Sequence, residues 1–345
     1  MVKIVEDIKL DYSDVLLKPQ YSEINSRKDV DLVKTFHTKY GNSISVVPIA
    51  IANMDSVGTF EMLASVSKHG IITCIHKHYS IQEWLDWSKN QGEHIWDYVA
   101  ISTGISDKDI EKTYTILTNI PQLKIICVDV ANGYSSIFSQ KIREIRENFS
   151  NHIIIAGNVV TGELTQQLIL SGADIIKVGI GPGSVCTTRS QTGVGYPQLS
   201  AVIECCEVAK SCGGMIMADG GCTCPGDFVK AFGAGAHFVM SGGYFSGHTE
   251  CGGEEIRESD GIYKIFYGMS SKNAMDKYSG GVANYRSSEG KCVKIKYKGD
   301  VVNTILDLLG GIRSACTYVG AKNLYELPQK TVFIKVNRQF NTFYS

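Results

Sequence analysis

A thiol, several hydroxyls and a run of glycines stand together in Gly179-Ile-Gly-Pro-Gly-Ser-Val-Cys-Thr-Thr-Arg189. Cys186 is flanked by the hydroxyls of Ser184, Thr187 and Thr188. The alternating glycines before it let the backbone turn tightly and come close to a ligand. Such a placement suits covalent attack by a thiolate beside an anion site built from backbone amides. The plainer alternative is a tight turn with an inert thiol. Two glycine pairs, Asp219-Gly220-Gly221 and Ser241-Gly242-Gly243, can supply further amides to a phosphate. Asp219 would repel phosphate and is better suited to accept hydrogen bonds from ribose hydroxyls. A sugar phosphate, and so a nucleotide, follows, with its base within reach of Cys186. Thr188 and Glu289 are candidates to relay protons. Against these readings stand ordinary glycine turns and a solvated Glu289 beside glycine.

The elements that must position these groups are legible as short apolar runs at 46–52, 70–75, 98–102, 124–130, 153–156, 175–178, 215–218 and 237–241. They are nearly continuous rather than alternating, as in parallel strands covered by helices on both faces. Helical patterns lie between them, over 59–68, 81–90, 107–118, 135–149, 161–172, 198–210, 225–232 and 301–319. In 135–149, Ile137, Phe138, Ile142, Ile145 and Phe149 fall on one face. In 161–172, Thr161 can cap the first turn, Gly172 can end the helix, and Leu164, Leu168 and Ile169 form the buried stripe. This alternation predicts an α/β fold, a (β/α)8 TIM barrel, with an open doubly wound sheet as the alternative. The whole chain, 1–345, reads as one barrel domain with no linker or low-complexity run. The polar, Gly-rich stretch from Phe245 to Asp300 breaks the alternation. It reads as a lid after the eighth strand, with a hairpin ending in Val293–Tyr297.

Composition narrows the partners. The 34 Lys and Arg balance 35 Asp and Glu, for a net charge of -1, so charge gives no indication of nucleic-acid binding. The 43% hydrophobic content supports a large core. Neither a secretory apolar segment nor a run long enough to span a membrane is present, and 11 scattered cysteines fit a reducing, cytosolic setting. Cys222-Thr-Cys224 and Cys205-Cys206, even with His248 and Cys251 nearby in sequence, lack the paired spacing of a zinc site.

The motifs together resemble the family of IMP dehydrogenases and GMP reductases. The resemblance covers nearly the whole chain and is carried by Gly179–Arg189, Asn53-Met-Asp55, Gly157-Asn158-Val159, Asp219-Gly-Gly221, Ser241-Gly-Gly243 and Gly268-Met-Ser270. It implies a (β/α)8 barrel, a purine mononucleotide, a nicotinamide cofactor and a thioimidate on Cys186. It also implies a monovalent cation, potassium, held around Gly181, Gly183, Cys186 and Arg189, and a homotetramer. The junction 89–97 is too short for the regulatory insert that dehydrogenases usually carry, and the stretch Tyr285-Arg286-Ser-Ser-Glu289-Gly-Lys291 resembles the reductase lid, as do Ile75–Ser80 and Ser314–Thr317. The reaction implied is GMP plus NADPH giving IMP, ammonia and NADP+, a step of purine salvage.

Carried over residue by residue, the resemblance gives Cys186, Thr188, Glu289 and Lys77 catalytic roles. Ser184, Gly221, Gly242 and Gly243 would hold the phosphate, with Asp219 and Gly220 beside the sugar. Gly268, Met269, Ser270, Arg286, Ser288 and Gly290 would contact or cover the base. Nicotinamide recognition falls near Asp129, Val130, Ala131, Asn158, Ile180, Gly181 and Met269. The adenosine end falls to Ser26, Arg27, His78, Tyr285, Arg286, Ser314, Ala315, Cys316 and Thr317, some of them from a neighbouring subunit, with Arg286 and Arg27 as candidates for the extra phosphate. Three other readings are an IMP dehydrogenase without its insert, a non-catalytic nucleotide sensor, and a doubly wound dinucleotide-binding dehydrogenase. The lid sequence, the thiol and the mid-chain position of the glycines argue against each in turn.

Overall fold

The computed structural model describes residues 2–337. Eight parallel strands close into a barrel: β1 (Ile49–Ile51), β2 (Ile72–Ile75), β3 (Val99–Thr103), β4 (Ile125–Asp129), β5 (Ile153–Val159), β6 (Ile175–Val178), β7 (Met215–Asp219) and β8 (Phe238–Ser241). Closure comes from β8 on β1, with Val239 opposite Ile49 and Ser241 opposite Ile51. Seven of the eight strands lie within or one residue beyond an apolar run of the sequence, and β5 extends three residues past its run, to Val159. The barrel reading holds and the open sheet does not.

The continuous apolar runs follow from burial on both faces. In β1, Ile49 and Ile51 pack outward among the helices, while Ala50 faces a separate inner cluster with Cys74, Ala100, Cys127, Ile155, Met217 and Met240. A hairpin of Lys34–His37 and Ser43–Val46 precedes β1 and contributes Phe36, Ile44 and Val46 to that inner core, Phe36 lying 4.3 Å from the Phe238 ring.

The helices are α1 (Phe60–Val66), α2 (Ile81–Ser88), α3 (Asp107–Asn119), α4 (Ser136–Asn148), α5 (Gly162–Leu170), α6 (Gln198–Cys212), α7 (Pro225–Gly233), α8 (Lys272–Ser279) and α9 (Val301–Val319), besides short turns. In α4, Phe138, Ile142 and Ile145 are buried as their spacing predicts, but Ile137 is 50% exposed, one position off the stripe. Thr161 precedes α5 without a capping hydrogen bond. Its hydroxyl instead accepts from Tyr134 Oη at 3.0 Å. All eleven cysteines are free thiols. Among the described residues no helix is long and apolar enough to cross a membrane.

The stretch after β8 is more structured than a hairpin. Strands β9 (Glu255–Glu258), β10 (Gly261–Tyr267) and β11 (Cys292–Lys296) form an antiparallel sheet, and α8 sits between the last two. Ser271 caps α8 by accepting from Ala274 N, and Ala274 and Met275 are its buried residues.

Candidate active site

The C-terminal ends of the barrel strands open on a cavity of about 740 Å³, roofed by the segment after β8. Lys77, His78, Asp129, Val130, Ala131, Asn158, Ile180, Gly181, Ser184, Cys186, Thr188, Asp219, Gly220, Gly221, Gly242, Gly243, Gly268, Met269, Ser270, Arg286 and Glu289 all line it. Residues singled out in six strand-end loops and the lid thus meet in one place. A C-terminal rim built from loops is where barrel enzymes carry their chemistry.

At one side of the cavity the thiol, a hydroxyl and a carboxylate form a line. Cys186 Sγ donates to Thr188 Oγ1 at 3.2 Å, and Thr188 Oγ1 donates to Glu289 Oε2 at 2.8 Å. The carboxylate arrives from the lid because the two backbones are laced together. Thr187 N donates to Glu289 O at 3.0 Å, Lys291 N to Val185 O at 2.9 Å, and Glu289 N to Ser270 O at 3.0 Å. The two side-chain hydrogen bonds thus run in the same direction, from sulfur toward carboxylate.

Opposite lies a cradle of amides. Gly220 and Gly221 have φ of +88° and +84°, which a residue with a Cβ adopts only with strain. Gly243 is needed for space instead, since a Cβ there would collide with the Ser184 hydroxyl. Loops six and eight therefore close on one another without side chains between them. That leaves backbone amides and one hydroxyl, a donor set that fits an anion.

The floor is charged. Lys177 projects inward from β6 with its side chain only 1% exposed, and it bonds Asp129, at the end of β4, and Asp219, at the end of β7, the latter at 3.3 Å. Burial pushes the ammonium down, but the two carboxylates outweigh it and hold Lys177 well above its ordinary pKa. Asn158 Nδ2 donates to Asp219 Oδ2 at 2.9 Å and to Gly179 O at 2.8 Å. Asn158 Oδ1 and the buried Ser102 Oγ, both on cavity-lining residues, have no hydrogen-bond partner among the described residues.

On the β2 side, Lys77 Nζ meets Asp109 Oδ2 at 3.1 Å. Burial pushes the Asp109 carboxyl up, and Lys77 outweighs it, leaving Asp109 below its ordinary value. His78 stacks on Tyr278 of α8 with centroids 3.5 Å apart, so this histidine both packs and lines the cavity. Burial pushes the His78 imidazole down to about 4. Tyr278 Oη in turn donates to Asp55 Oδ2 at 2.5 Å, as does Tyr267 Oη at 2.5 Å, and Lys277 Nζ lies 3.0 Å from the same oxygen. Asp55, in the loop after β1, thereby ties both β10 and α8 to the barrel.

Other expected residues lie outside the cavity. Ser288 Oγ donates to Gly290 O at 3.2 Å, and Gly290 packs against Ser271, so both brace the lid. Tyr285 is 94% exposed. Ser26 and Arg27 belong to a turn packed on α9, whose last turns carry Ser314, Ala315, Cys316 and Thr317, with Cys316 buried. Neither group lines the cavity of its own chain. The Arg189 side chain turns from the loop carbonyls to Asp11 at 3.2 Å and Tyr196 O at 2.6 Å. Being a permanent cation, it braces the loop and cannot ligate a metal through its side chain. Lys177, Asp109 and Tyr278 were not singled out by the sequence. For Lys177 a signal existed, a lone charge inside an apolar strand.

A barrel that gathers a thiol, a proton relay and an anion cradle at its C-terminal rim has the build of a (β/α)8-barrel enzyme. The model of the IMP dehydrogenase / GMP reductase domain matches residues 9–340. The human protein named GMP reductase 1 is 58% identical over the full length of both chains. The Caenorhabditis elegans GMP reductase is 54% identical over 100% of this chain and 96% of its own, and the Klebsiella pneumoniae GMP reductase is 54% identical over 100% and 99%. The chain belongs to the IMP dehydrogenase / GMP reductase family and is an enzyme.

Proposed function

We propose that the protein converts GMP and NADPH to IMP, ammonia and NADP+ through a thioimidate on Cys186. The observation that carries this reading is the Cys186–Thr188–Glu289 line, joined to relatives named GMP reductase at 54–58% identity over the full chain. The Cys186 thiol adds to C2 of the purine, and its proton passes through Thr188 to Glu289. The same pair returns a proton to the amino group, which leaves as ammonia and gives the thioimidate. The nicotinamide cofactor supplies a hydride to C2. Collapse would then break the carbon–sulfur bond and release IMP and the Cys186 thiolate, which takes up one proton from solvent to restore the thiol.

The residues fit both ligands. The amides of Gly221, Gly242 and Gly243 with the Ser184 hydroxyl suit the phosphate, and Asp219 suits a ribose diol. Asp129, Ala131 and the unpartnered Asn158 Oδ1 suit the nicotinamide end, where Lys77, shared with Asp109, adds positive charge. Gly268, Met269, Ser270 and Arg286 close over the base. For potassium, the carbonyls of Gly181 and Cys186 accept no backbone hydrogen bond, and neutral carbonyl oxygens suit such an ion. Gly181, Gly183 and Cys186 would hold it and stiffen the thiol loop. The patch of Ser26, Arg27 and Ser314–Thr317, away from its own cavity, suits a contribution to a neighbouring subunit's cofactor site in a homotetramer. A cytosolic place in purine salvage follows from these substrates.

The test follows nicotinamide absorbance with GMP plus NADPH against IMP plus NAD+, with Cys186→Ala as control. NADPH loss that requires GMP, releases ammonia and vanishes in the variant is expected. NADH formed only from IMP would move the chain to the dehydrogenase branch, and tight GMP binding without turnover would make it a sensor.

A further inference from the structure

The buried ion triad on the cavity floor has no role in the proton relay or the anion cradle. Lys177 is the central member, held between β4 and β7 by a carboxylate on each side. The two partners differ in exposure, with Asp129 38% and Asp219 19% exposed as side chains. One oxygen of each is occupied by Lys177, and the other carries no protein partner among the described residues. Two carboxylates this close repel each other and, without a cation between them, share a proton or swing apart. The lysine is packed tightly, since a Cβ on Gly157 would strike its own Cβ and carbonyl. The other titratable groups around it are the thiols of Cys127 and Cys74.

We propose that Lys177 is a positioning residue that fixes Asp129 and Asp219 side by side, so that one free carboxylate oxygen faces the sugar of the nucleotide and the other faces the sugar at the nicotinamide end of the cofactor. The inference rests on the reductase reading, which places one ligand on each carboxylate. Lys177 touches neither ligand and acts through the two aspartates. Its loss is therefore felt at both binding sites and much less at the Cys186 relay, which stands on another part of the rim.

The experiment measures KM for GMP and for NADPH, and kcat, in wild type, Lys177→Met, Asp129→Asn and the double variant Lys177→Met/Asp129→Asn. Loss of a charged hydrogen-bond partner predicts that Lys177→Met raises both KM values about tenfold or more, with kcat changed less. Asp129→Asn alone raises chiefly the NADPH KM. The double variant removes the repulsion along with the lysine, so it folds even where the single variant does not. It regains a GMP KM within about threefold of wild type. A lysine that merely fills the core predicts no such rescue. Unchanged KM values in Lys177→Met, a change in only one of them, or a double variant no better than the single one would overturn the proposal. Absence of GMP-dependent NADPH oxidation in the wild type would instead remove the reductase reading itself, and this inference with it.

Discussion

The Thr188 hydroxyl donates to Glu289 Oε2 at 2.8 Å although the two residues are 101 positions apart. The thiol loop brings one and the lid the other. Closing the lid backbone onto Val185 and Thr187 therefore does more than cover the cavity, because it completes the hydrogen-bonded line from Cys186 through Thr188 to Glu289. A lid displaced from these contacts leaves Cys186 without that line, so the proposed reaction predicts chemistry only in the closed form.

The relay predicts that Glu289→Gln lowers kcat by about a hundredfold or more, the usual worth of a positioned acid–base group. Thr188→Val should do much the same, while Thr188→Ser keeps the hydroxyl and most of the rate. Ammonia release and NADPH oxidation measured side by side check this. Equal rates in Thr188→Val and Thr188→Ser would mean that the hydroxyl carries no proton.

Asp55 is a second long-range tie, accepting from Tyr267, Tyr278 and Lys277. Burial pushes its carboxyl up, and the three donors outweigh that and hold it below the ordinary value. A depressed carboxyl stabilises the lid at all pH above its unfolded value of about 4, and the contribution is lost only as pH falls through the folded value. Asp55→Asn keeps the shape and removes the charge, at a local cost of about 1–3 kcal/mol. Hydrogen exchange in 272–279 should quicken at pH 7, with barrel strands unchanged. Uniform exchange across the chain would show that Asp55 supports the whole fold and not the lid.

These two ties show where sequence reading stops. The barrel was legible because burial on both faces leaves a local mark, an unbroken apolar run such as Ile153-Ile-Ile-Ala156. The thiol, the glycines and Glu289 were legible by residue type. Helix α8 was not, because eight residues carry barely two turns of pattern and lie among glycines, although Ser271 in capping position was a signal. The partners of Asp55 and Lys177 were not legible either, since side chains 40 to over 200 positions apart leave no local trace. Ile137 and Thr161 failed for a simpler reason. Helix faces are about a residue wide at their edges, and a cap hydroxyl can be taken by a nearby donor such as Tyr134.

Buried histidines work against the fold in acid. Burial pushes the imidazoles of His76, His78 and His237 down to about 4. Each binds a proton more readily when unfolded, near pH 6.5, than when folded. Their contribution is complete above about pH 6.5 and is lost as pH falls from there through 4. Urea midpoints should thus be flat from pH 8 to 7 and fall steadily toward pH 5. His237 lies beside Phe36 at the foot of the barrel, away from the cavity. His237→Phe should reduce the proton uptake on unfolding by about one. An unchanged slope in that variant would show that its imidazole titrates normally in the folded chain.

The glycine cradle offers a test of where the phosphate sits. Gly243 does not have a positive φ, so an alanine there meets no intrinsic backbone strain. What it meets is the Ser184 hydroxyl, across the gap in which the phosphate would lie. Displacing one hydroxyl and part of the amide surface should raise the KM for GMP about tenfold, with the melting temperature little altered. Gly220→Ala is a poor probe by comparison, because φ of +88° adds strain that would lower stability as well. Guanosine provides the internal control, since it shares the base and ribose and lacks the phosphate. Gly243→Ala should weaken GMP while leaving the slow turnover of guanosine at its wild-type value. If both substrates weaken equally, the added methyl acts on the base or the ribose, and the phosphate must be placed elsewhere on the rim.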